Sequence, residues 1–265
     1  MTPGGRIARA RVSPERAGRD LVAVGMNLSG QSKRVGGLAW VRSGVVAMLL
    51  PACVAGGCAY HSDELIDAHY QRYKARMPEG DRVFACSAYG CRTQTPFRFT
   101  QTDLAQLQSM MAAAKTKTAA DERAAIRDTL AWMERRVDAE VGTANDRPGD
   151  DFAGSGDPSQ MDCVDVATNL SSYLLILDRH QLLRHHSVGP AFVKEDYRKG
   201  LSGWTHYATI LVEKGSNQKY AVDGWLLASG KPPEITEVEK WYIDDSDIVF
   251  GGKVAVTSAQ EPQRE

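Results

Sequence analysis

The chain of 265 residues carries almost no charge of one sign in excess: 32 Lys and Arg stand against 33 Asp and Glu, a formal net charge of −1. So balanced a surface gives no electrostatic case for a nucleic-acid partner. Basic residues are spread along the chain apart from an Arg-rich N-terminus. There is no P-loop, no dinucleotide fingerprint and no zinc-type Cys/His spacing, so chemistry without a cofactor is expected and no metal ligand set is assigned. Internal repeats are missing too. No apolar run reaches the ~20 residues of a comfortable membrane span. The 43% apolar content is nonetheless enough for a buried core in one large domain or two small ones.

One short apolar run does stand out. From Ser43 to Gly57 the sequence follows Arg42, passes through Val45-Val46-Ala47-Met48-Leu49-Leu50 and closes on small residues before Cys58. That is the basic, apolar, small-residue order of a secretory signal. It resembles a bacterial lipoprotein signal with Cys58 as the acylated residue, although Ala55 stands where such signals usually carry Leu. Cys53, after Pro51, is the weaker choice, and a buried or anchoring helix is the alternative. A signal begins near a protein's start, so the true start is expected downstream, near Val41, with residues 1–40 absent from the mature protein. N-terminal sequencing of the native protein checks this, and finding residues 1–40 would remove the idea. The implied location is a bacterial cell envelope, periplasmic or lipid-anchored, with membrane contact through the anchor or signal segment.

Cysteine usage agrees with export. Cys86 and Cys91 bracket Ser-Ala-Tyr-Gly between two strand-like runs, Arg82–Ala85 and Pro96–Phe99. So short a loop can close as a disulfide, and an oxidising compartment would keep it closed. Two separate thiols are the alternative. Cys163 is left unpaired.

Periodicity predicts an α+β chain. Helices are expected from Ser62 or Asp63 to Met77, with His69 packed in its stripe, from Thr102 to Ala114, and from Thr118 to a stop at Gly142. Residues 142–160 turn polar and irregular, and read as a loop over a site or as a linker. A helix follows from Cys163 to Asp178 or His180 with Asp162 as N-cap. Strands are expected over 187–193, 205–213 and 219–226, the last two forming a hairpin, and a short helix over 234–242. The regions are then 1–58 as extension and signal, 59–141 as a helical region with the Cys86/Cys91 hairpin, 142–250 as a core, and 251–265 as a frayed tail.

The core carries the chemistry. Cys163 opens a helix, where the positive helix end favours a thiolate, and a nearby protonated His would add to that. Asp162 opposes it unless capping turns its carboxylate to the backbone. His206 and Asp223 fall on successive strands, close enough across an antiparallel pair for the acid to orient the imidazole. Counting in from the turn pairs Glu213 with about Lys219 and sets His206 opposite the region just beyond Asp223. A thiol, an imidazole and a carboxylate in this order suggest a nucleophile, a base and an orienting acid. Singly, each has a plain structural reading: a buried small residue, a satisfied strand histidine, a turn aspartate. The Cys163 backbone N–H and the Gln160 amide are the oxyanion candidates. Trp204 and Trp225 are substrate-contact candidates. His180, His185 and His186 read as a surface cluster, with an alternative base or a metal site as the other readings.

Asp-Cys-Val-Asp-Val-Ala, Thr-His-Tyr-Ala and Val-Asp-Gly-Trp together resemble the catalytic core of the transglutaminase-like superfamily within the papain-like fold, most nearly the bacterial transglutaminase-like cysteine proteinases of the cell envelope. The resemblance covers about residues 145–242 and rests on the joint order of short motifs. It implies a nucleophile helix packed on an antiparallel sheet and a thiol peptidase, amidohydrolase or acyltransferase acting on protein or peptide amides. Some relatives bind calcium through acids flanking the Cys; here Val164 stands where a second carboxylate is expected. A non-catalytic envelope module using the same fold for binding is the rival reading.

Overall fold

The computed structural model describes residues 64–112, 118–149, 152–194 and 205–243, all within the unit Val54–Glu265. The signal-like run with Cys53 and Cys58, the tail 251–265 and Trp204 lie outside the described residues.

Helix α1 covers Asp67–Tyr73, shorter than its apolar stripe predicts, because Lys74 takes a left-handed conformation (φ 53°) and its N–H closes on Tyr70 and Gln71 carbonyls. His69 is buried in it, as expected. Strands β1 (Arg82–Ser87) and β2 (Thr93–Arg98) form the antiparallel hairpin, with Val83 opposite Phe97 and Ser87 opposite Thr93. Helix α2 (Gln101–Ala112) and helix α3 (Ala119–Val141) follow. Helix α3 begins at Thr118, whose hydroxyl takes the Asp121 N–H while the Asp121 carboxylate takes the Thr118 N–H, and ends on Gly142 at φ 97°. Both ends are local chemistry: a reciprocal cap satisfies two orphan donors, and glycine meets no Cβ penalty in the left-handed region.

Helix α4 (Cys163–Arg179) is buried over most of its length. A four-stranded antiparallel sheet packs against it in the order β3 (His186–Lys194), β4 (His206–Glu213), β5 (Lys219–Asp223), β6 (Glu234–Glu237). The expected single helix over 234–242 is instead strand β6 followed by helix α5 (Val238–Ile243), since Tyr220 to Asp223 of β5 pair with Glu237 to Glu234. β-Branched Ile235 and Thr236 suit that ladder. Strand β5 stops at Asp223, three residues early.

One hydrophobic core runs through the hairpin, α2, α3, α4 and the sheet, joining Val83, Phe97, Leu107, Ile126, Leu170 and Leu211. The chain is thus mixed α+β with antiparallel sheets, and the regions 59–141 and 142–250 share their interior.

Candidate active site

Cys163 stands at the first position of α4. Asp162 Oδ1 accepts the Asp165 N–H at 2.9 Å and Asp165 Oδ2 accepts the Asp162 N–H at 3.2 Å, a reciprocal cap. Such a cap is worth about 1 kcal/mol. The Cys163 amide has no intrahelical acceptor by helix geometry, so it points at whatever lies beyond the helix end.

The sheet brings the other two residues. The ladder pairs Val212 with Lys219 and Thr209 with Val222, one residue off the count that paired Glu213 with Lys219. Glu213 N–H donates to the Gln218 carbonyl instead, at 2.8 Å. That single step decides the site, because a one-residue slip sends every side chain to the opposite face. In the observed register His206 and Asp223 share a face, and Nε2 of His206 lies 2.5 Å from Oδ2 of Asp223.

The Glu213 bond also tells which way β4 turns its main-chain groups: odd-numbered residues face β5. The ladder ends at Thr209–Val222, so Thr205 and Tyr207 extend past it with their groups open on that side. Cys163 occupies that space. Its thiol donates to the Thr205 carbonyl at 3.7 Å, and the Tyr207 N–H points at the sulfur. The sulfur thus packs against the main chain on both sides of His206. Asp223 takes Nε2 of the imidazole, and the other ring nitrogen, Nδ1, is buried.

Electrostatics divide the three. Burial alone pushes Asp223 up, but His206, the Trp241 indole N–H (2.8 Å) and the Trp225 N–H (3.1 Å) hold it below the usual carboxylate range. Cys163 goes the other way. Burial raises its thiol well above the ordinary value, and Asp162, Asp223 and Asp165 add to this, while the Tyr207 N–H opposes it. This direction runs against the thiolate expected at the helix end: capping does turn Asp162 to the backbone, yet its charge still acts on a sulfur only 4% exposed. Desolvation outweighs the helix dipole, whose effect is small by comparison.

Aromatic residues enclose the imidazole. Trp225 lies 4.7 Å from the His206 ring centroid and Trp241 5.5 Å. Trp241 was not legible as a site residue; its only signal is an indole N–H that needs a partner when buried. Tyr73 of α1 is a second omission. Its ring stands edge-on to that of Tyr207, 5.5 Å between centroids, and after burial both Tyr207 and Cys163 push its hydroxyl up. Of the other expected site residues, Trp225 is beside His206, whereas the Gln160 amide goes to Asn145 and Ser159 acceptors within the loop, so the side chain holds the loop rather than facing the sulfur. The loop 142–160 is tied in elsewhere too: the Gly149 N–H donates to the Trp225 carbonyl at 2.8 Å.

Cys86 and Cys91 are at disulfide distance, with Cα atoms 4.5 Å apart. Ala88, Tyr89 and Gly90 between them and Cys91 itself are all left-handed, at φ 67°, 68°, 68° and 56°. Three of these carry a Cβ, at roughly 1 kcal/mol or more each. Curled this way, the loop turns its N–H groups onto Asp165: Tyr89 N donates to Oδ2 at 2.8 Å and Cys91 N to Oδ1 at 2.6 Å. Asn169 secures the neighbouring turn, accepting the Cys86 N–H at 2.7 Å and donating to its carbonyl at 3.0 Å.

The histidines 180, 185 and 186 do not form the expected surface cluster. His186 is fully buried, with Nδ1 2.9 Å from Glu122, and His180 pairs with Asp81 at 2.7 Å. Among the described residues neither belongs to a group with metal-ligand spacing; Cys86, Cys91 and Asp165 do, but the two sulfurs already face each other at bridge distance. Among the described residues no helix is long and apolar enough to cross a membrane. No protein-family model matches the chain, and no curated protein and no solved structure is significantly similar to it.

Proposed function

We propose that this chain is an exported thiol-dependent hydrolase or acyltransferase acting on amide bonds of proteins or peptides, most nearly a cysteine peptidase of transglutaminase-like, papain-like type. The observation that carries the reading is the His206–Asp223 hydrogen bond, formed beside a sulfur that packs against the main chain flanking that histidine. Cys163 Sγ attacks the substrate carbonyl carbon while its proton passes to His206 Nδ1. Asp223 accepts the Nε2 hydrogen and stabilises the imidazolium. The Cys163 N–H supplies one donor to the carbonyl oxygen as it gains charge. His206 then gives the proton to the departing amine, leaving a thioester. Water releases the acid, whereas a second amine gives a crosslink.

Because burial pushes the Cys163 thiol up, the proposed sequence places deprotonation in the attack step rather than in a standing ion pair. Alkylation of Cys163 with iodoacetamide tests the reading: we expect labelling that falls at least tenfold in His206→Ala. Labelling no faster than a free thiol and indifferent to His206→Ala would count against it.

Export and a lipid anchor at Cys58 are part of the same proposal, supported by the Cys86/Cys91 pair, which suits an oxidising compartment. The rival, a binding module without catalysis, is favoured by one observation: the thiol is buried among three carboxylates that oppose its ionisation. It requires function to survive Cys163→Ala.

A further inference from the structure

Asp165 is the residue the proposed chemistry leaves unused, although it is fully buried two positions after Cys163. Its carboxylate accepts three main-chain hydrogen bonds. Two come from the bridged loop, Tyr89 N and Cys91 N, and the third from Asp162 N at the start of α4. One more contact joins the same pieces: the Ala88 N–H donates to the Gln160 carbonyl at 2.8 Å, three residues before Cys163. The loop can present these donors only while its left-handed run persists, and L residues adopt that run only when something over-determines it. The Cys86–Cys91 bridge on one side and the carboxylate on the other do so.

We infer that Asp165 is a positioning residue which couples the Cys86–Cys91 loop to the first turn of α4, so that opening the bridge loosens the end of the helix that carries Cys163. Reduction by a dithiol transfers two electrons and two protons: the S–S bond becomes two thiols and the reductant's sulfurs become a disulfide. The loop then relaxes, Tyr89 and Cys91 leave the carboxylate, and a buried acid without its donors no longer closes the cap with Asp162. Reactivity of the thiol thereby becomes sensitive to the redox state of its surroundings. The consequence for reactivity rests on the proposed function, while the coupling itself does not.

Two measurements separate them. The first is amide hydrogen exchange over 161–167 in oxidised and dithiol-reduced full-length protein. We expect at least tenfold faster exchange on reduction, and equally in oxidised Asp165→Asn, with the interior of α3 unchanged. Unchanged exchange at 161–167 on reduction overturns the coupling, and because this needs no variant, a poorly folding Asp165→Asn does not blunt it. The second is the pH profile of Cys163 alkylation in Cys86→Ser/Cys91→Ser. As the first turn opens, the midpoint should fall by at least one pH unit toward that of a free thiol, near 8.5, and His206→Ala should cease to matter. A midpoint and His206 dependence equal to those of the bridged protein overturn the link to reactivity. If alkylation is already indifferent to His206 in the bridged protein, the proposed function fails, and the exchange result alone decides the coupling.

Discussion

His206 and Asp223 meet on a diagonal rather than as cross-strand partners. Extending the Val212–Lys219 register sets His206 opposite Trp225, with Asp223 two residues back on the same face, and the imidazole leans across to bring Nε2 within 2.5 Å of Oδ2. Long side chains span such diagonals. The same lean lays the ring beside Trp225, 4.7 Å between centroids, so one register serves both contacts.

Asp223→Asn should leave the fold intact while lowering turnover of a peptide substrate roughly 100- to 10,000-fold, the usual worth of a positioned proton-transfer group. Steady-state kinetics alongside near-ultraviolet circular dichroism measure both halves. A variant as active as the parent would remove Asp223 from the chemistry.

Trp241→Phe keeps the ring beside His206 but deletes the indole N–H that helps hold Asp223 low. The stability loss should be about 1 kcal/mol. The carboxylate should then protonate at a higher pH, so the acid limb of the activity profile moves up. The sign follows from linkage: Asp223, depressed in the folded state, contributes stability present above its unfolded pKa and lost as pH falls through its folded one. An acid limb that stays in place counts against the bond.

Alkylation of Cys163 in the native protein should keep rising with pH beyond the ~8.5 midpoint of a free thiol, since burial and the carboxylates of Asp162, Asp223 and Asp165 oppose ionisation. A plateau below neutral pH would mean a standing thiolate instead.

Stability should decline as pH rises from about 5 to 8. Burial raises Glu134 to about 8 and Asp146 to about 7, each also pushed up by Asp138, while Arg135 and Arg147 act against this. The folded state therefore holds protons that the unfolded chain has already lost, and stability that is full below the unfolded pKa disappears as pH climbs through the folded one. Glu134→Gln should flatten the decline and raise stability at pH 8 by on the order of 2 kcal/mol. Urea denaturation at pH 5 and pH 8 checks it, and equal slopes in parent and variant would contradict it.

How much of this was legible beforehand depended on whether the cause was local. The capped ends of α3 and α4 read directly, because Thr118 with Asp121 and Asp162 with Asp165 act over three residues. The 219–223 hairpin partner and the Cys86/Cys91 approach were legible for the same reason. Strand β6 was not, since Glu234–Glu237 is a strand only through its ladder with β5. The His186–Glu122 pair joins residues far apart in the chain, so one member of a cluster that looked superficial turned out to be core.

The amino-acid order by itself fixed the α+β character, the helix that starts at Cys163 and the two strands that carry His206 and Asp223, because caps, turns and periodicity are short-range. Tertiary structure decided the strand register that puts imidazole and carboxylate on one face, the burial that pushes the Cys163 thiol up, and the grip of Asp165 on the Cys86–Cys91 loop. Each of those depends on the distance between groups remote in sequence and on how much water lies between them, and neither quantity exists until the chain has packed.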